Sequence, residues 1–449
     1  MFANTSVSDT IFARASGAGK AGVAVFRLSG PDSHRIASAL IGKRINNREA
    51  AVVALREPAT GSVIDRGLAI LFQRPASFTG EDVAEFHLHG SRAVEASLFE
   101  TLGRLGARPA EAGEFTLRAL KNGKLDLAQV EALADLIDAE TTQQRMQALG
   151  QLEGRLSAVA EDWRKRLLGI LAPLEADIDF PDEGDVPAAV AARAGPEIAN
   201  LKIALTAFLL DSGRARRIRD GVSIAVVGPP NAGKSSLVNA LAGADVAIVS
   251  AQPGTTRDVV ETRLDLGGVV ATVADTAGLR AATEDAIEAE GMARARARAA
   301  AADIRVLVLD PSADVPQETF AALLPGDFLV WSKSDLGVSP PRVSIPNGVA
   351  CMAVSTQNKN GLADLVEGLT KAVSRGTPAD EPALTRARHV KAAEDALEAL
   401  ERAEGNIRSA PELAAEDARL AARALGRITG AVGVEDVLGE IFSSFCIGK

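Results

Sequence analysis

The chain has 449 residues, 47% of them apolar and 24% charged, with a formal charge of −10. That length accommodates about two to four domains with proper cores, in the ordinary balance of a globular protein. Two cysteines, Cys351 and Cys446, exclude a disulfide framework, and the net acidity argues against a surface coated for nucleic acid, though not against a local basic patch.

Residues 1–120 alternate extended runs, Gly22–Leu28, Gly67–Phe72 and Val83–Leu88, with helical stretches near 33–41 and 92–105, and predict a small α+β domain. His87 and His89 alternate along one run with no third ligand nearby, so they read as ordinary strand histidines rather than a metal pair. Residues 121–217 turn helical. Met146, Leu149, Leu152, Leu156, Val159 and Trp163 recur at steps of three and four, which predicts one face of a single long helix packed in a core. The Pro- and acid-rich segment Phe180–Pro187 breaks the pattern, and another helix is expected to about Ser212. The basic run Arg214–Arg219 reads as a solvated linker face, with RNA contact as the lesser alternative. Residues 377–449 are again rich in Ala, Leu and Glu and helical to about Leu438. Two helical blocks therefore flank a different module at 218–376, which predicts one helical domain with a second domain inserted into it. No apolar run approaches about 18 residues and no charged-then-apolar leader opens the chain, so a cytoplasmic protein with no membrane partner is expected.

The inserted module carries the most specific signal. Gly228-Pro-Pro-Asn-Ala-Gly-Lys-Ser235 meets the spacing G-x-x-x-x-G-K-[ST] between an apolar strand, Ser223–Val227, and a helix-forming run, Ser236–Leu241. Glycines let successive N–H groups turn inward on an anion, and the helix N-terminus adds partial positive charge. In that setting Lys234 reaches the β- and γ-phosphates and the Ser235 hydroxyl ligates Mg²⁺. Gly254–Asp258 follows as a hydroxyl-rich loop whose Thr256 is placed to close on Mg²⁺ and the γ-phosphate. Val259–Leu266 and Val269–Ala274 read as strands joined by Gly267-Gly268. The second ends in Asp275-Thr-Ala-Gly278, where Asp275 holds Mg²⁺ through water and the Gly278 N–H meets the γ-phosphate. Ile304–Asp310, Asp327–Asp335 and Ala350–Thr356 supply further strands and a helix closes from Gly361, giving a mostly parallel sheet with helices on both faces.

A carboxylate at Asp335 accepts both the ring N–H and the exocyclic amine of guanine, which adenine does not offer, so the pocket selects GTP. Lys333 packs its stem over the base. The nucleotide contacts expected are Asn231, Ala232, Gly233, Lys234, Ser235 and Ser236 in the loop; Ser250, Thr255 and Thr256 beyond it; Asp275, Thr276, Ala277 and Gly278; and Lys333, Asp335 and Ser355 at the base. Ser332-Lys333-Ser334-Asp335 departs from the usual Asn-Lys-x-Asp by a shorter donor, which predicts retained guanine preference with weaker affinity. Leu279 stands where Ras-type GTPases carry a water-orienting glutamine. Either Glu284 or Glu288, or an outside group, then positions the water, or the acids of Thr283–Glu288 are the solvated first turn of an Ala-rich helix.

Asn231, Gly254–Asp258, Asp275–Arg280, the nested helical halves and the terminal Phe445-Cys-Ile-Gly-Lys449 together resemble the MnmE (TrmE) family of tRNA modification GTPases. The resemblance covers the whole chain and extends to Ser77–Val83, Gly113–Thr116 and Lys124–Ala128. It implies a multidomain α/β plus all-α architecture: an N-terminal α+β domain, a discontinuous helical domain, and an inserted Ras-like P-loop GTPase domain with a mixed, mostly parallel sheet. It also implies a homodimer that hydrolyses GTP to GDP and, with the flavoprotein MnmG (GidA), forms 5-carboxymethylaminomethyl or aminomethyl-type uridine at the wobble position of certain tRNAs. By position, K⁺ falls to Asn231, Ser250, Gln252 and Thr255. The water-positioning catalytic residue falls on Glu288, with Glu290 and Glu284 left open because one extra residue follows Arg280. A tetrahydrofolate one-carbon derivative, in the 5-formyl or 5,10-methylene form, falls to Arg27, Glu85, Lys124 and Lys449. Cys446 either takes part in the chemistry or tethers the tail. The other reading is a GTP-dependent switch that binds ribosomal RNA during subunit assembly, from which folate retention by residues 1–120 distinguishes it.

Overall fold

The computed structural model describes residues 9–179, 194–248, 261–275, 300–313, 315, 318–321, 323–374, 381–432, 441, 442, 445 and 448. In chain order the first elements are β1 (Ile11–Arg14), β2 (Ala21–Ser29), α1 (Ser33–Ile41), β3 (Ala51–Arg56), β4 (Val63–Phe72), β5 (Val83–Gly90) and α2 (Arg92–Arg104). Then come β6 (Arg108–Pro109), α3 (Glu114–Lys121), α4 (Leu127–Asp138), α5 (Thr142–Leu152), α6 (Arg155–Asp179) and α7 (Ala194–Asp220). The module with the phosphate-loop sequence holds β7 (Val222–Val227), α8 (Lys234–Ala242), β8 (Glu261–Leu266), β9 (Val269–Asp275) and β10 (Ile304–Leu309). It continues through α9 (Glu318–Ala321), β11 (Phe328–Trp331), β12 (Ala350–Ala353) and α10 (Leu362–Val373), before α11 (Ala387–Asn406) and α12 (Pro411–Thr429). The chain divides into two compact units, residues 1–134 with 152–190 and 410–449, and residues 135–151 with 191–409.

In the first unit a six-stranded sheet runs in the order β3-β4-β5-β2-β1-β6. Its pairs are antiparallel except β1 with β6. Period-two alternation decides its faces. Ala24, Phe26 and Leu28 of β2 are buried against Ile36 and Leu40 of α1 and Leu98 and Leu102 of α2. Arg27 is thereby turned to the opposite face, directly across from Glu85 of β5. The short strands β1 and β3 were not among the extended runs singled out in the sequence.

The single long helix expected across Met146–Trp163 is two helices. Gly154, at φ +86°, separates α5 from α6 because a left-handed residue cannot continue the helical hydrogen-bond pattern. Met146 is exposed, whereas Leu156, Ala160, Trp163, Leu167, Ile170 and Leu174 form the buried stripe of α6. That helix pairs with α12, whose buried Ala414, Ala418 and Ala421 permit close approach, and Arg419 reaches Glu175 at 2.9 Å across the pair.

In the second unit the sheet order is β12-β11-β10-β7-β9-β8, parallel throughout except for β8 against β9. Val226, Val273, Val308, Leu365 and Leu369 are fully buried in its core, each contributing about 1.5–3 kcal/mol by leaving water. The sheet is mixed and mostly parallel, as expected for the inserted module, and β7 is the strand from which the order departs to both sides, where α/β sheets place their ligands. The helix expected to stop near Ser212 runs on to Asp220. The basic run is therefore the last turns of α7 and no linker: Ala215 and Ile218 are buried while Arg216 and Arg217 stay exposed.

Candidate functional site

The loop between β7 and α8 has a shape its residues dictate. Gly228 sits at φ +145°, and a Cβ there would stand 2.2 Å from the Val308 carbonyl oxygen, so only glycine lets the loop lie against β10. Asn231 takes φ +62° and is exposed on the rim, and Gly233 takes φ +96° immediately before α8. Lys234, buried, donates to the carbonyls of Gly228 at 2.9 Å and Pro229 at 2.8 Å, so its ammonium lies over the loop. Ser235 and Ser236 are exposed in the first turn of α8, at the positive end of its dipole. Asp275 ends β9 in register with Val226 of β7, which brings its backbone beside the start of the same loop.

A cavity of about 230 Å³ adjoins the loop, lined among others by Gly233, Ser236, Ser332, Lys333, Asp335 and Gln357. Asp335 lies in a short 3₁₀ turn, Ser334–Leu336. Its Oδ1 accepts a 2.5 Å hydrogen bond from the hydroxyl of Ser355, which is fully buried after β12. The Ser355 oxygen in turn accepts from the amides of Gln357 and Asn358, at 3.2 and 3.4 Å. One carboxylate oxygen is thus held and oriented by the protein. Lys333 adopts φ +56°, and its ammonium binds Oδ2 of Asp310 at 2.6 Å. The Lys333 ammonium, with the Ser312 hydroxyl and amide, holds the Asp310 carboxyl down at about 2. Ser332 is buried with its hydroxyl donating to the Leu309 carbonyl at 3.1 Å, and a Cβ at Gly233 would lie 3.5 Å from its Cβ. It touches the phosphate loop without donating a hydrogen bond to it.

The first unit gathers a second constellation on the face opposite its core. Arg27 Nε donates to Glu85 Oε1 at 2.8 Å, both side chains being mostly buried. The guanidinium lies 5.2 Å from the ring centre of Phe78 and 5.8 Å from that of Phe115. Lys124 donates to the Pro75 carbonyl at 3.2 Å and packs its stem beside Gly80. The same unit holds a partly buried ionic network. Arg118 binds Asp9 at 2.9 Å, Glu81 at 3.1 Å and Glu114 at 3.0 Å, and Arg108 binds Glu114 at 2.6 Å and Asp9 at 2.6 Å. Burial pushes the Glu114 carboxyl up, but the hydrogen bonds from Arg108, the Glu111 amide and Arg118 outweigh it and leave it below its ordinary value. Near the end of the chain, Phe442 and Phe445 are buried with Leu117 and Val130, and a Cβ at Gly448 would stand 1.9 Å from the Arg14 carbonyl oxygen.

Known proteins match the chain along its whole length. The family model for the MnmE helical domain matches residues 127–446, and that for the GTP-binding protein TrmE N-terminus matches residues 10–124. The tRNA modification GTPase MnmE of Parvibaculum lavamentivorans is 52% identical over 446 residues, 98% of this chain and all of that protein. The chain belongs to the MnmE family of tRNA modification GTPases. Proteins of the same name from Caulobacter vibrioides and Paramagnetospirillum magneticum are 49% and 50% identical, each over 99% of this chain and all of theirs. The protein is a GTPase, and the resemblance read from its motifs is the family it belongs to.

The structure brings Asn231, Ala232, Gly233, Lys234, Ser235 and Ser236 into one loop and helix start, and Lys333, Asp335 and Ser355 into the adjoining cavity or its support. Arg27 and Glu85 are paired, and Lys124 lies in the same unit. Ser250, Gln252, Thr255, Thr256, Thr276, Ala277, Gly278, Glu284, Glu288, Glu290, Cys446 and Lys449 lie outside the described residues. His89 binds Asp65 at 2.9 Å, and among the described residues no group of three His, Cys, Asp or Glu side chains comes together to hold a metal. Nor, among them, is any helix long and apolar enough to cross a membrane. Sequence reasoning missed Asp310, Phe78 and Phe115 as contributors. Asp310 was detectable, since a carboxylate at the carboxyl end of a buried parallel strand stands where such folds bind ligands.

Proposed function

We propose that this chain installs a carboxymethylaminomethyl or aminomethyl-type group on carbon 5 of the wobble uridine of certain tRNAs, as a homodimer working with the flavoprotein MnmG (GidA) in the cytoplasm. Residues 1–120 bind the folate and dimerise, 121–217 and 377–449 form the helical domain, and 218–376 bind and hydrolyse GTP. The observation that carries the coupling of one-carbon chemistry to GTP is the Arg27–Glu85 pair between Phe78 and Phe115 in the same chain as the guanine-type pocket at Asp335. Two aromatic rings beside an acid and a base suit a flat, amine-bearing pterin with a carboxylate tail. That composition fits a tetrahydrofolate carrying a 5-formyl or 5,10-methylene unit, with Lys124 and Lys449 for its carboxylates.

In the nucleotide pocket Asp335 accepts from the ring N–H and amine of guanine, and Lys333 covers the base. The backbone amides from Asn231 to Ser236 point at the phosphates, and Lys234 transfers its ammonium from the Gly228 and Pro229 carbonyls to the β- and γ-oxygens. The exposed Ser235 hydroxyl at the start of α8 and Asp275 at the end of β9 are oxygen donors of the kind Mg²⁺ takes. Ser235, Thr256 and, through water, Asp275 would hold that ion, which would supply positive charge for the β- and γ-phosphates. Asn231, left-handed and exposed on the rim, carries an amide oxygen of the kind that would suit K⁺ together with Ser250, Gln252 and Thr255. Glu288 orients the attacking water, and Cys446 stands by the one-carbon unit or tethers the tail.

The deciding experiment is mass spectrometry of wobble nucleosides from a strain lacking the gene, with hydrolysis by the purified protein compared in KCl and NaCl. Loss of the modified uridine and faster turnover in KCl are expected. An unchanged nucleoside profile with defective ribosomal subunits would replace the reading with the assembly switch, and equal rates in the two salts would remove the K⁺ site.

A further inference from the structure

Strand β9 ends at Asp275, and its other end is the turn Gly267-Gly268, roughly 20 Å away at strand rise. Helices enclose that turn. Thr141, buried just before α5, donates its hydroxyl to the Gly268 carbonyl at 2.7 Å. Gly268 sits at φ +91°, and a Cβ there would stand 1.9 Å from Cγ of Gln143. It is the Gln143 stem that packs at the turn, and its Oε1 is buried with no hydrogen-bond partner. From the other side Ser374, after α10, donates to the Leu266 carbonyl at 3.3 Å, and a Cβ at Gly267 would lie 2.8 Å from its Oγ. Glu140 pairs with Arg263 of β8.

The same helix grips both ends of the inserted module. Gln144 Nε2 donates to the Arg219 carbonyl at 3.1 Å and Gln147 Nε2 to the Ala215 carbonyl at 3.2 Å, in the last turns of α7 before the chain enters β7. Gln151 Nε2 donates to the Ala383 carbonyl at 3.3 Å and to Thr385 at 3.1 Å, where the chain has left the module. Steps of three and four put these amides on one helix face. Their acceptors are mostly main-chain oxygens, so they hold backbone and not mobile side chains.

We propose that Thr141 and Gln143 position the β8–β9 hairpin and, through it, Asp275 at the nucleotide, so that α5 acts as a lever whose setting depends on whether GTP or GDP is bound. The proposal rests on the placement of Asp275 at the metal side of the nucleotide given above. Strand β9 is hydrogen-bonded to β8 over Val269–Ala274 and to β7 over Ala271–Asp275. A displacement of Asp275 with its strand is therefore passed toward Gly268, against which the Gln143 stem packs. Coupling is reciprocal: a nucleotide state that moves the hairpin changes the fit of α5, and a change in α5 alters that state's affinity. Thr141 and Gln143 are positioning residues, acting through Asp275.

The test is amide hydrogen exchange on the full-length protein with GDP and with a non-hydrolysable GTP analogue, read over residues 142–151 and 265–270, together with the kinetics of variants. In the unmodified chain, exchange of both segments differs between the two states by about fivefold or more, the lower range of measured couplings. In Thr141→Val and in Gln143→Ala that difference collapses and kcat falls by about fivefold, while GDP affinity stays within about twofold and Thr141→Ser restores both readings. Equal exchange in the two nucleotide states, or wild-type kcat in both variants, overturns the lever. Retained hydrolysis in Asp275→Asn would instead sink the Asp275 placement beneath it, so the two failures are distinguishable.

Discussion

The hydroxyl of Ser355 donates a 2.5 Å hydrogen bond to Oδ1 of Asp335, from a fully buried position after β12 to a carboxylate in the turn after β11. The parallel pairing of β11 with β12 makes this possible, because it brings the ends of two strands distant in sequence to one rim of the sheet. A carboxylate fixed in this way is pre-set to meet two donors in one plane, as the proposed guanine contact requires.

Replacing Asp335 by asparagine swaps an acceptor for a donor. Affinity for GTP is expected to fall about tenfold or more, the size of a lost charge-assisted hydrogen bond. Affinity for XTP, whose base presents an oxygen in place of the amine, should rise. Competition binding with both nucleotides measures it, and an unchanged ratio would clear Asp335 of base selection. Ser355→Ala, which removes only the orienting bond, should weaken GTP by about 1 kcal/mol.

Ser332 directs its hydroxyl to the Leu309 carbonyl and donates no hydrogen bond to the phosphate loop. The longer amide of asparagine extends past that carbonyl toward Gly233. Ser332→Asn is therefore predicted to tighten GDP by about two- to tenfold, the net worth of one neutral hydrogen bond. Titration calorimetry at fixed Mg²⁺ would show the gain; a looser complex would mean that the site is packed around serine.

Asp310 has its carboxyl lowered from 3.8 to about 2 by Lys333 and Ser312. For a depressed acid, the stabilisation is complete above the unfolded value of 3.8 and drains away as pH falls toward about 2. The stability difference between the unmodified chain and Asp310→Asn should therefore be flat from pH 7 to about 4 and shrink below it. Urea denaturation at stepped pH tests this, and a difference that grows on acidification would contradict the pairing.

Arg118 compensates Glu81, Glu114 and Asp9 from a position 8% exposed. Arg118→Met takes its ion-pair partner from the nearly buried Glu81 and leaves Glu114 and Asp9 to Arg108, and should cost about 3–5 kcal/mol. The chain has two tryptophans, and Trp163 alone lies in the same unit as Arg118. In a Trp331→Phe background, fluorescence therefore follows that unit's unfolding separately. The Glu114 carboxyl is also depressed, so this unit should lose stability as pH falls below the ordinary carboxylate value of 4.5. A variant as stable as its parent would show that the network contributes nothing net.

The phosphate loop, the hairpin at Gly267-Gly268 and the alternating strands of the inserted module were legible in the chain itself. Each depends on local spacing or on glycines where the backbone must take φ > 0. What only the tertiary structure decided depends on groups far apart in sequence. Gly154 split an apolar stripe whose period of three and four continues across it, because periodicity reports a face and is blind to one left-handed residue. The basic run at Arg214–Arg219 became helix because Ala215 and Ile218 found a core, which charge counting does not register. Ser355 beneath Asp335, Asp310 beside Lys333, Phe78 and Phe115 over Arg27, and Gln143 against Gly268 all meet through strand register and helix packing. Those contacts exist only once the chain has buried its apolar faces, and no spacing along it encodes them.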